Sequence, residues 1–287
     1  MCIGLNGEVK KIATYVAILF NGVFMTQRER RIFLIRYLLD ETDVYHGMPI
    51  PRSETEQWIM LRGLLNIRPA NLVSEEFLTV QNEYLQNEIA SKGITDIENL
   101  TPVTKDNLYL WQGDITTLRV DAIVNAANSG MTGCWKPNDP SIDNSIHTFA
   151  GVQLRLECDE IMRRQGHEEP TGQAKITKAY NLPSKYVIHT VGPIVGSAVT
   201  RQHCEQLASC YRSCLDIAQA NNVKSVAFCC ISTGTFRFPQ EPAAKIAVDT
   251  VRMWFAEHKC DIKVVFNVFT DTDLHIYNSV LGEKYAA

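Results

Sequence analysis

The sequence lacks a convincing membrane span. The longest apolar run near its start, IATYVAILFNGVFM at 12–25, falls short of the roughly 20 residues a helix needs to cross a bilayer. It is also broken by Asn21 and Gly22 and followed by TQRERR. Residues 1–7 carry no basic start, and no small-residue cleavage site is evident, so the pattern of a secretory signal is missing. Charge of one sign is missing too. Lys and Arg number 28 and Asp and Glu 32, a net charge of -4, which removes any global electrostatic case for nucleic acid or an anionic membrane as partner. There is no internal repeat, no Gly-Lys-Ser/Thr end of a Walker A loop and no GxGxxG. Together these absences predict a soluble, cytoplasmic protein.

Cysteine is plentiful, with nine residues, but the number is odd and the chain is large enough to fold without staples. Cys229 and Cys230 lie in the strand-like run SVAFCCIS, and Cys204, Cys210 and Cys214 recur at roughly helical spacing. Reduced thiols, mostly in the core, are expected. Neither CC nor CYRSC has zinc-ribbon spacing.

The chain divides by pattern. RERRIFLIRYLLDE, SETEQWIMLRGLLNIR and SEEFLTVQNEYLQNEIASKG read as amphipathic helices. Ser53 and Glu56 are spaced as a capping box, Ser74 is a candidate N-cap and Gly93 closes the third run. Residues 1–100 are expected to form an N-terminal helical extension packed on the remainder. From about Asn107, short β-rich runs such as DAIVNAAN, YVIHTVGP, SVAFCCIS and DIKVVFNVF alternate with helical stretches. That alternation predicts an α/β fold with a largely parallel sheet over 101–287.

Ligands of such sheets bind beyond the carboxyl ends of strands. Three loops qualify. In GDIT, Asp114 follows a strand, where a carboxylate would accept from an exocyclic amine or cap the next turn. In NAAN, Asn125 and Asn128 flank two alanines that let a ligand approach the backbone, and an amide both donates to and accepts from a ribose diol. In STGTFRFP, Ser232, Thr233, Gly234 and Thr235 suit an anion cradle, Gly234 permitting a tight turn, although a plain strand-to-helix turn would read the same. An unusually long polar stretch, SGMTGCWKPNDPSIDNS, follows NAAN.

GDIT, NAAN and STGTFRFP in this order, with IHTFAG, TGQAKIT and VIHTVGP, resemble the macrodomain family. The resemblance implies a three-layer α/β/α sandwich, with a mixed, largely parallel sheet, that binds ADP-ribose in a surface cleft. It places Asp114 on the adenine amine and Ile115 in the adenine pocket. Asn128 would hold the distal ribose, Asn125 would also bind ADP-ribose, and Ser232, Thr233, Gly234, Thr235 and Phe236 would wrap the diphosphate, with Phe236 also near the distal ribose. Asn128 and Asp143 would serve hydrolysis at the distal ribose, Asp143 either orienting a water or the ribose or else capping the helix that carries His147, itself readable as a packed structural histidine. GCWKPNDPSIDNSIH and the helical extension resemble a narrower branch, the zinc-dependent protein-ADP-ribose hydrolases sometimes encoded beside sirtuin-type transferases and lipoyl-carrier proteins. That implies removal of mono-ADP-ribose from acidic side chains of a modified protein, with a lipoyl-carrier protein as one such substrate. The branch binds zinc through Cys, His and Cys. Here Cys134 stands, but Asp139 and Ser141 occupy the other two positions. A thiolate, a carboxylate and a hydroxyl make a poor zinc site. Three readings stay open: the metal is lost, a weaker or harder ion binds through Asp139, or Asp143 or His147 replaces a ligand. Two other activities also stay open, an ADP-ribose-binding module without turnover and an O-acetyl-ADP-ribose deacetylase.

Overall fold

A computed structural model describes residues 25–282. The apolar run over 12–24, the first part of the expected extension and the last five residues lie outside the described residues.

Three helices open the described chain: α1 (Gln27–Asp40), α2 (Glu54–Ile67) and α3 (Glu75–Ser91). Their starts are fixed by hydroxyl caps. Thr26 and Glu29 form a complete capping box on α1. At Ser53, where the spacing predicts such a box, the serine cap on Glu56 N–H is recorded without the return bond from Glu56. Ser74 caps α3 as expected, and Gly93 at φ +85° ends it. Leu34, Leu38, Leu61, Phe77, Tyr84 and Leu85 bury the helices' apolar faces in the same core as the strands that follow. The extension therefore packs on the α/β unit rather than hanging from a linker.

Two short strands, β1 (Thr95–Asp96) and β3 (Leu118–Arg119), pair in parallel and stitch the end of α3 to the chain after GDIT. The main sheet contains β2 (Leu108–Gln112), β4 (Ala122–Ala127), β5 (Ala174–Lys178), β6 (Tyr186–Val191), β7 (Ser225–Phe228) and β8 (Lys263–Val268). Its order is β2-β8-β7-β4-β6-β5. All neighbours run parallel except β5 against β6. Five more helices flank the sheet: α4 (Ile142–Ala150), α5 (Val152–Gln165), α6 (Arg201–Ala220), α7 (Gln240–Glu257) and α8 (Asp271–Gly282). This is the mixed, mostly parallel layered fold that the alternating pattern predicts. Because helices cover its strands, β4, β7 and β8 read as nearly continuous apolar runs.

The eight described cysteines are all free. Burial pushes the thiols of Cys158, Cys214 and Cys229 up, so they stay protonated as small core residues. Among the described residues, no helix is long and apolar enough to cross a membrane.

Candidate functional site

A cleft of about 510 Å³ opens at the carboxyl ends of β2, β4 and β7. Asp114, Asn128, Asp143 and Ser232–Phe236 all line it. Strand order sets their sequence across the sheet: Asp114 after β2, Ser232–Phe236 two strands away after β7, and Asn128 at the end of β4 beside it. At about 4.8 Å per strand, β2 to β4 spans roughly 14 Å, the reach of an extended nucleotide-diphosphate sugar.

Asp114 makes the cap that the sequence allowed. Its Oδ1 accepts from Thr116 N–H at 3.0 Å and Thr116 Oγ1 at 2.6 Å, starting a short 3-10 turn over Ile115–Thr117. Its Oδ2 accepts from Lys92 Nζ at 2.9 Å. Burial pushes this carboxyl up, but the Thr116 hydroxyl and Lys92 outweigh it and hold it below its ordinary value. Ile115 is buried along the same wall.

The loop after β7 turns at Ser232, whose φ of +66° lies in the left-handed region. The expectation that Gly234 supplies the tight turn is therefore corrected: Gly234 is absent from the positive-φ residues, and its missing side chain opens space instead. Arg237 N–H bonds Gly234 O at 2.9 Å and Phe238 N–H bonds Ser232 O at 3.0 Å. No described group accepts from the backbone N–H of Gly234, Thr235 or Phe236. Three free donors on a curved loop form a cradle for an anion. Gly192 presses on this loop, and a Cβ there would sit 2.0 Å from Ser232 Oγ.

Beside the end of β4 the structure departs from expectation. Asn125 does not line the cleft. It is fully buried, donating to Asp143 Oδ1 at 2.8 Å and to His189 Nδ1 at 3.1 Å. A strand covered on both faces sends alternate side chains into two interiors, and Asn125 points into the one under α4. Asn128 does line the cleft. Its two amide hydrogens go to Gly133 O and Asp143 Oδ2, and its Oδ1 takes Gly130 N–H. One acceptor lone pair remains, so Asn128 can receive a hydroxyl proton but has none left to give. Burial pushes the Asp143 carboxyl up to about 6, against the pull of Asn125, Arg155 and Asn128.

The cap of α4 is Ser141, which accepts from Asn144 N–H, while Asp143 lies two residues on, within the first turn. Asp139 Oδ1 accepts from Ser141 N–H at 2.9 Å. Two of the three positions at which the resembling branch binds zinc are thus occupied by an Asx turn and a helix cap. Among the described residues the only trio of ligand-type side chains within 4.8 Å is His147, Cys158 and His189. Cys134, Asp139 and Asp143 do not gather in that way. The buried trio fits a metal no better. His189 Nδ1 accepts from Asn125, so Nε2 carries the proton and donates to Thr177 Oγ1 at 2.9 Å. Burial holds His189 down at about 3 and His147 well below its ordinary value, so both imidazoles are neutral, the form that ligates metals, but both ring nitrogens of His189 are already hydrogen-bonded and leave it no lone pair for an ion. His147 has no hydrogen-bond partner among the described residues, and its Nε2 lies 3.7 Å from Asp143 Oδ1. The residues present do not fit a zinc site.

Several groups that shape the cleft carry no sequence signal. Arg62 of α2 donates to Asn144 Oδ1 at 2.8 Å and to Asp139 O at 2.9 Å. Asn66 Oδ1 accepts from Asn138 N–H, and its amide donates to Thr148 Oγ1. Arg155 reaches from α5 to Thr132 O at 2.7 Å and Arg68 O at 2.6 Å, with its guanidinium over Trp135. The polar stretch after NAAN is thus clamped between α4, α5 and the extension.

Comparison with known proteins agrees with this geometry. The family described as Macro domain matches residues 124–247. A protein-ADP-ribose hydrolase of Treponema medium is 59% identical over 261 residues, covering 90% of this chain and 100% of that protein. A protein-ADP-ribose hydrolase of Staphylococcus aureus is 49% identical over 258 residues, covering 90% and 97%. Among solved structures, the Trypanosoma brucei macrodomain in complex with ADP-ribose superposes with a TM-score of 0.60 at 30% identity, covering 81% of this chain and 97% of that one. Relatives matched over 97–100% of their own length, and a cleft built from the ends of β2, β7 and β4, establish that this chain belongs to the macrodomain family.

Proposed function

We infer that this chain is a protein-ADP-ribose hydrolase, which releases mono-ADP-ribose from acidic side chains of modified proteins. One observation carries the reading: a single cleft holds an amine acceptor at β2, an anion cradle at β7 and a carboxylate-backed amide at β4. These match base, diphosphate and distal ribose in order and span. The names of the relatives from Treponema medium and Staphylococcus aureus support the same activity.

The bond to be broken joins C1″ of the distal ribose to a carboxylate oxygen of the modified protein. Binding the base and diphosphate fixes the ribose, which turns the attack of water into an oriented event. Free N–H groups at Gly234–Phe236 hold the phosphate oxygens. Asn128 accepts from a ribose hydroxyl through its remaining lone pair. Asp143, ionised above about pH 6, locks that amide and places negative charge beside the reacting carbon, where positive charge develops as the bond opens. Cys134, Asp139 and Ser141 take no metal role in this scheme. The GCWKPNDPSIDNSIH loop and the extension support kinship with the zinc-dependent, sirtuin-linked branch, its ligands altered at Asp139 and Ser141. A lipoyl-carrier protein in the cytoplasm is the corresponding substrate.

The altered ligand set favours a second reading, a module that binds ADP-ribose without turning it over. A gel assay on a protein ADP-ribosylated at Asp and Glu, run with added zinc and with a chelator, separates the two. Loss of label in either lane supports the hydrolase. Retained label together with ADP-ribose binding by calorimetry supports the module. Consumption of O-acetyl-ADP-ribose with the protein label untouched would instead assign the deacetylase.

A further inference from the structure

We propose that Lys92, from the helical extension, is a positioning residue for the adenine-binding carboxylate of Asp114, so that the extension forms part of the nucleotide site. The inference rests on the reading of the cleft as an ADP-ribose site and goes beyond it.

A carboxylate offers about four lone-pair positions. Two on Asp114 are filled by the N–H and Oγ1 of Thr116, both on Oδ1. Lys92 Nζ fills a third, on Oδ2 at 2.9 Å. One acceptor position is left, on Oδ2, in the wall of the cleft. The cap by Thr116 holds one oxygen, but the plane of the carboxylate is set only when the second oxygen is also held. Lys92 does this and keeps the group ionised. An ionised carboxylate with one open lone pair accepts from an exocyclic amine and repels a carbonyl in the same place, which is the difference between adenine and hypoxanthine.

Lys92 is itself held. It is the C-cap of α3, followed by Gly93 at φ +85°, and its Nζ lies 3.6 Å from the centre of the Phe149 ring on α4. Phe149 packs on Trp58 of α2, and Trp58 on Tyr84 of α3. β1 pairs with β3 directly after the turn that Asp114 caps. The ammonium thus reaches Asp114 from a rigid aromatic stack, across 22 residues of sequence.

The test is a double-mutant cycle with ADP-ribose binding measured by calorimetry. Lys92→Met should raise the Kd about three- to fivefold, the range of a half-exposed ion pair. Lys92→Arg should restore most of the affinity. In an Asp114→Asn background Lys92→Met should change nothing further, and in the native background its effect on hydrolysis should fall on KM more than on kcat. Selectivity for ADP-ribose over its hypoxanthine analogue should fall with Lys92→Met. An equal loss in both backgrounds, or no loss in the native background, overturns the proposal. Melting curves identify a variant that has merely unfolded, and Lys92→Gln then replaces Met. A second readout needs no nucleotide: the Asp114 carboxyl, followed by carbon-13 NMR, should titrate at higher pH in Lys92→Met. If it does not move while the native protein binds ADP-ribose, the pin is refuted and the site reading stands. If it moves but the native protein binds no ADP-ribose, the reverse holds.

Discussion

Replacing Arg62 with methionine removes a clamp on the polar stretch after NAAN while keeping most of the side chain's apolar stem. The guanidinium donates to Asn144 Oδ1 through both Nε and Nη2, at 3.1 and 2.8 Å, and to Asp139 O at 2.9 Å. Asn144 is completely buried, so its Oδ1 would keep only a long contact with Thr148 Oγ1 at 3.5 Å. Orphaning a buried acceptor costs about 1–3 kcal/mol, and hydrogen bonds from a charged donor contribute about 1.5–3 kcal/mol. Burial of the guanidinium works the other way, lowering the Arg62 pKa, and its relief returns part of that sum. A net loss of about 2 kcal/mol follows, which lowers the Tm of a chain this size by about 4 °C. Because Arg62 holds Asp139 O and Asn144, at either side of the Ser141 cap, activity should fall more steeply than stability. Arg62→Lys keeps the charge without the fork and should fall between. Thermal melts and hydrolysis kinetics measure both. A Tm within 1 °C of the parent with unchanged kinetics would refute the clamp.

Three further outcomes are expected. The value of kcat/KM should rise with pH through about 6 as Asp143 ionises, and Asp143→Asn should flatten that limb; a profile level between pH 5 and 7 argues against the carboxylate. His147 and His189 are neutral in the fold with depressed pKa values, so the unfolded chain binds more protons below about 6.5, and the urea midpoint should fall from pH 7 to pH 5, the raised pKa of Asp143 offsetting part of the change. Metal analysis after dialysis should find far less than one zinc per chain, and Asp139→His with Ser141→Cys should raise it, at a stability cost of about 1 kcal/mol for the lost Ser141 cap; stoichiometric zinc in the unaltered protein would show that the donor argument is wrong.

What could be read from the sequence is what short segments encode. GDIT, NAAN and STGTFRFP announce themselves because each pairs a β-rich run with a polar turn, and a parallel sheet brings all such turns to one edge. The inward turn of Asn125 leaves no trace in the sequence, because a strand buried on both sides shows no polar-apolar alternation to tell an inward amide from a ligand-facing one. Glycine marks Gly234 as the residue that permits a tight turn in the β7 loop, whereas the fold puts the left-handed residue at Ser232, where Gly192 makes room across the sheet. Ser141, which stands at a ligand position of the resembling branch, heads a helix, with its oxygen on Asn144 N–H. Arg62, Lys92 and Arg155 act across 82, 22 and 87 residues, and no local pattern records a contact at that distance.

The placement of β8 between β2 and β7 has a consequence for the order in which the molecule is made. β2 emerges from the ribosome early, but its hydrogen-bonding partner is the last strand of the sheet. Until about residue 268 has left the exit tunnel, β2 offers an unpaired edge, and the carboxylate at its end has no wall opposite. The helices of the extension can assemble first, since they come first and their contacts are close in sequence. They pack beside the GDIT turn, and more than 150 residues separate that turn from the end of β8. A growing chain exposes strand edges at its own risk. The Lys92–Asp114 pair joins segments only 22 residues apart, so it can form long before β8 supplies the strand with which β2 pairs.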